Sequence, residues 1–142
     1  MDTNIKYLNP EGSCPAQGLY SHATHVPSGP LLFVAGQLSV GLDGSVVGTG
    51  NFEAQYHQVF GNLGDVLRGL GCDFDSVVKF TTYLVNADDI PQFMDLRAKT
   101  FPGFFKGPLM PPNTLLIVKR LVKPEFLLEV EAVVRAPGEV AE

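Results

Sequence analysis

Residues 126–134 read FLLEVEAVV, and their two-residue period decides the fold. Phe126, Leu128, Val130, Ala132 and Val134 fall on one face of an extended chain, and Leu127, Glu129, Glu131 and Val133 on the other. The first face suits a cover of helices. The second mixes two carboxylates with aliphatic side chains, and residues 114–119 (TLLIVK) form a strand apolar on both sides. A sheet made of these strands has an uncovered face too apolar for water, which predicts a homo-oligomer built through it. Glu129 and Glu131 then lie in or near a subunit interface, where a carboxylate needs a partner or a purpose.

Working outward, residues 31–35 (LLFVA) read as a buried strand that breaks at Gly36, after a loop-like start rich in proline and glycine. LDGS at 42–45 is a tight-turn signal, so Val46-Val47 is expected to be a short return strand. From Asn51 to Leu70 apolar residues recur at helical spacing, with Asn51 placed to cap the start and Gly71 to end the helix. Residues 76–85 (SVVKFTTYLV) favour a strand. Asp88-Asp89 before Pro91 begins a second helix, on which Ile90, Phe93, Met94, Arg97 and Phe101 share one side. A loop, FPGFFKGPLMPP, follows from Phe101. The expected order is β-β-α-β-α-β-β, an α+β sandwich with two helices on one face of a mainly antiparallel sheet. With 142 residues the chain has room for one core, so 1–142 is read as a single domain.

The composition excludes several functions. Ten basic and 15 acidic residues leave a net charge of −5, and no basic run exceeds Lys119-Arg120, which argues against nucleic-acid binding. No apolar run approaches the roughly 18 residues of a membrane span, and the first ten residues carry no signal-like apolar core, so a cytoplasmic protein is expected. Cys14 and Cys72 belong to no CxxC pair and read as free thiols. No cofactor is implied: the glycines of GNLGDVLRGLG do not follow a strand and do not match a phosphate loop. His22-x-x-His25 has no further residues at ligand spacing, so no metal is expected.

PPNTLLIV, at 111–118, places a lone amide, Asn113, where a side chain faces solvent or a pocket. Tyr20 and His22 point the same way if their segment is extended, and a histidine there is a candidate proton donor or switchable cation. Glu129, mid-strand among apolar neighbours, is the strongest candidate for chemistry, and Glu131 reads as structural.

With these elements placed, GLYSHA (18–23), VAGQL (34–38), residues 55–90, PPNT (111–114) and EVEAVV (129–134) resemble the reactive intermediate deaminases, the RidA-like proteins. The resemblance implies a chorismate-mutase-like α+β fold, a homotrimer and small pockets between subunits. It also implies hydrolysis of 2-imino or enamine acids to 2-keto acids and ammonia. The pocket tyrosine corresponds to Tyr20, and the glutamate that positions water to Glu129. The arginine that grips the substrate carboxylate corresponds to Asn113. Other pocket positions depart as well: a serine is Ala35, ahead of Gly36, an asparagine is Met94 and a cysteine is Leu115.

An amide has one or two neutral donors where a guanidinium has a charged fork, a difference of about 2 to 4 kcal/mol for a simple 2-imino acid if nothing replaces it. Lys119 and Arg120 stand about 20 Å further along the strand and cannot. The expected substrate is therefore a C=N or enamine intermediate less anionic, or larger, than a simple 2-imino acid. Two other classes compete with a hydrolase: a binding trimer that kept the pocket without chemistry, and a tautomerase or ring-opening hydrolase of a catabolic route.

Overall fold

The computed structural model describes residues 5–138. Two short strands, β1 (Lys6–Leu8) and β2 (Ala23–His25), pair antiparallel in a ribbon of their own. β3 (Leu31–Gln37), β4 (Val77–Leu84), β5 (Asn113–Ile117) and β6 (Leu128–Arg135) form one sheet in the order β3-β6-β4-β5. β6 runs antiparallel to both neighbours, and β4 and β5 run parallel. Helices α1 (Phe52–Gly69) and α2 (Ile90–Phe104) lie on one side, with α1 across β3 and β6 and α2 beside it.

The helix ends follow from their sequences. The Asn51 side chain accepts the Ala54 N–H at 3.0 Å, which satisfies a donor that the first turn leaves free. At the other end Gly71, at φ +75°, donates to Arg68 O, and Cys72 donates to Leu67 O at 2.8 Å. That pair of bonds is the glycine-terminated C-cap, and the left-handed φ explains the glycine.

The alternation in β6 holds throughout: Leu128, Val130, Ala132 and Val134 are buried against α1, and the intervening residues face away. Phe80, Thr82 and Leu84 of β4 share that inner face, in register with Ala132, Val130 and Leu128. The other face has no helix over it. Phe33 is 79% exposed there, with Leu31 two residues before it on β3 and Leu116 exposed on the far edge strand β5.

Four expectations need correction. The return strand at Val46-Val47 is a single bridge, Val40 to Val46. The tight turn is present, but α1 takes the carbonyls a partner strand would need: Asn62 donates to Leu38 O and Val40 O, and Gln58 to Val40 O. The first sheet strand does not break at Gly36; it carries one extra residue between the pairs Val34–Ala132 and Gln37–Val130, a bulge, and continues to Gln37. The second helix runs through Pro102 to Phe104, because Phe101 is buried against Phe60 and Phe104 stacks on Phe74 at 4.5 Å. The ribbon stands where a loop is expected. Its strands have three residues each and no alternation, and they are fastened by side chains, Tyr7 to Val77 O and Thr24 to Val78 O, both at 2.7 Å.

Candidate functional site

The sequence-derived residues fall into two groups on one chain. Tyr20, His22, Asn113, Met94 and Leu115 gather where the ribbon and α2 meet the edge strand β5. One hollow of about 380 Å³ includes Tyr20, Ser21, His22, Thr24, Pro112 and Asn113. A second, of about 350 Å³, is lined by Gln17, Tyr20, Met94, Arg97, Asn113 and Leu115 among others. Tyr20 and Asn113 stand between the two.

Each member of this group is held. The Gln17 N–H donates to the Tyr20 hydroxyl at 3.0 Å, which leaves that hydroxyl's proton free to donate elsewhere. His22 donates from Nε2 to Cys14 O at 2.5 Å, its backbone N–H donates to Asn9 Oδ1, and its ring meets Tyr20 edge-on at 6.2 Å. Asn113 opens β5 in register with buried Phe80, so its side chain turns toward α2, and its Oδ1 accepts the Thr82 hydroxyl at 2.8 Å. With the acceptor so engaged, the amide N–H donors remain for the cavity.

The second group is Glu129, Ala35 and Gly36, on the uncovered face. Glu129 pairs with Tyr83 across β6 and β4, and its carboxylate lies on the bulge at Gly36. Tyr83 donates a short hydrogen bond to Glu131, which leaves Glu129 without that partner. Partial burial raises the Glu129 carboxyl above its usual range, and the Glu131 charge adds to the effect. Glu129 is level with Tyr83 on β4 and Leu116 on β5, so Asn113 lies two strands over and three residues along, about 14 Å away and on the opposite face of the sheet. One chain does not bring the two groups together.

Two residues of the first group were not singled out from the sequence. Ser21 is buried, and its hydroxyl has no hydrogen-bond partner among the described residues. Arg97 is 3% exposed, and in the sequence it is one more position on the helical period. Its charge was the signal: an arginine on the apolar side of an amphipathic helix is an anomaly, since arginine is almost never fully buried unless paired.

An α+β sandwich whose candidate residues divide between an edge cavity and an open sheet face is one class of protein. Its particular family is given by comparison. The Endoribonuclease L-PSP family profile matches residues 11–136. A RutC family protein of Synechocystis is 33% identical over 121 residues, covering 84% of this chain and 88% of that protein. The rat 2-iminobutanoate/2-iminopropanoate deaminase is 29% identical over 104 residues, covering 72% and 74% of the two chains. The crystal structure of YyfB, a conserved Rid family protein of Yersinia pestis, superposes with a TM-score of 0.82 at 34% identity, covering 93% of this chain and 98% of that one. The chain belongs to the RidA/YjgF family. Among the described residues no helix is long and apolar enough to cross a membrane.

Proposed function

We propose that the protein hydrolyses the C=N bond of a small imine or enamine intermediate, in a pocket completed by a second copy of the chain within a homotrimer. The observation that carries this is the Glu129 carboxylate. It lies against Gly36, its pKa is raised by burial and by Glu131, and with Tyr83 bonded to Glu131 it has no hydrogen-bond partner among the described residues. A carboxylate so poised takes a proton from water while the oxygen adds to the imine carbon. That proton passes to the nitrogen to give a carbinolamine, whose hydroxyl proton then also moves to nitrogen as the C–N bond breaks, so imine and water become carbonyl and ammonia. Tyr20 and Asn113, from the neighbouring copy's edge cavity, offer hydrogen-bond donors to the substrate. Met94 and Leu115 give that cavity an apolar wall, which favours a side chain larger than that of the smallest imino acids.

Imines generated in place by an amino acid oxidase test this reading. Wild-type protein should accelerate their loss, and Glu129→Gln should lower the rate about 100-fold or more. Wild-type rates equal to the protein-free rate across small and large side chains would refute hydrolysis and leave a binding role.

A further inference from the structure

Arg97 is a buried cation with almost nothing to bind. Its guanidinium sits 5.2 Å from the Phe93 ring centroid, and its one hydrogen bond among the described residues is donated to Met94 Sδ at 3.0 Å. Thioether sulfur is a weak acceptor, and a guanidinium carries five N–H donors. The helices' ion pairs, Arg68 with Asp65 and Lys99 with Asp95, are on the surface. No carboxylate among the described residues pairs with Arg97.

The placement is also specific. A Cβ on Gly18 would stand 2.4 Å from an Arg97 Nη and 2.8 Å from Met94 Cε, so the loop before Tyr20 packs closely on the ends of both side chains. Arg97 lines the cavity of about 350 Å³ shared with Gln17, Tyr20, Asn113 and Leu115, a size that suits a small molecule. Burial lowers the guanidinium's pKa, with Tyr56 and Tyr20 opposing the shift, yet arginine stays charged. An uncompensated charge there destabilises the free protein, and a methionine would fill the space without that cost. The charge therefore has a use outside the fold.

We propose that Arg97 is the anion-holding residue of this cavity and that its ligand is a small carboxylate bearing an apolar side chain. The guanidinium takes the carboxylate, the Asn113 amide and the Tyr20 hydroxyl take the polar atom next to it, and Ile90, Met94 and Leu115 take the side chain. Position 113 thus lacks a cation because the second helix supplies one, and the expectation of a less anionic substrate is replaced by that of a larger one. The proposal rests on the hydrolase reading only for the identity of the reacting group.

Calorimetric titration of 4-methyl-2-oxopentanoate and of its neutral amide is the test. Wild-type protein should bind the acid at least tenfold more tightly than the amide. Arg97→Met should weaken acid binding about 30-fold or more, leave amide binding in place, and melt no lower than wild type. Arg97→Lys, which keeps the charge without the fork, should fall between. Equal affinity of wild type for acid and amide, unchanged acid binding in Arg97→Met, or no acid binding at millimolar concentration would each overturn the proposal. Should Arg97→Met fail to fold, the wild-type and Arg97→Lys comparisons decide. Loss of acid binding in Arg97→Met, with imine turnover absent from wild type, would sink the hydrolase and keep the clamp.

Discussion

Gly36 and Glu129 are in such close approach that a methyl group on Gly36 would stand 1.8 Å from Glu129 Oε2. The backbone φ at Gly36 is not positive, so glycine is required by the carboxylate above it and not by the turn. Gly36→Ala should therefore leave the fold intact within about 1 kcal/mol, because the side chain that must move is long and flexible. It should also push the carboxylate out of place. A loss of turnover of at least tenfold with little change in melting temperature is the expected pair of results, and full activity would detach Glu129 from the chemistry.

The raised carboxyl of Glu129 has a consequence for stability. A group that binds its proton more tightly when folded contributes stability below its unfolded pKa, about 4.3 for glutamate, and loses it as pH rises through the folded value. At pH 7 the ionised carboxylate is thus a net liability that Glu129→Gln removes. The variant should melt above wild type at pH 7, and the difference should vanish as pH falls to about 4. A constant difference across that range would locate the effect elsewhere.

What could be read in advance was whatever local chemistry determines. Asn51 and Gly71 each mark a helix end by a bond of their own, and the alternation in β6 separates core from open face without help from other strands. Val46-Val47 and the ribbon depended on distant side chains: Asn62 and Gln58 claim carbonyls some 20 positions away, and Tyr7 and Thr24 reach β4. Within the site, Asn113 and Glu129 announced themselves as polar residues in apolar strands. Arg97 did not, because it falls on the helical period set by apolar residues and its burial depends on the distant loop at Gly18.

The open sheet face gives a direct test of assembly. Phe33 is 79% exposed, and burying a side chain of that size is worth about 1.5 to 3 kcal/mol. If the proposed trimer forms through this face, Phe33→Asp should turn it into a monomer in sedimentation at micromolar concentration. Turnover should disappear with it, although Phe33 lines neither edge cavity, because Glu129 and Asn113 then have no second chain to meet across. A monomeric wild type that is fully active would end the shared-pocket reading.

Asn113→Asp sets stability against binding at one atom. The substitution keeps the shape and the acceptor for the Thr82 hydroxyl, and it places a carboxylate in the cavity that Arg97 lines. If the Arg97 charge is uncompensated in the free protein, the new carboxylate becomes its partner, and the melting temperature should rise by the equivalent of about 1 kcal/mol near neutral pH. The same carboxylate occupies the guanidinium and repels an anion, so affinity for 4-methyl-2-oxopentanoate should fall more than tenfold. A gain in stability together with a loss of binding distinguishes an anion site from a residue that merely packs. Were Asn113→Asp to lower stability and leave anion binding unchanged, the Arg97 guanidinium would be facing away from the cavity.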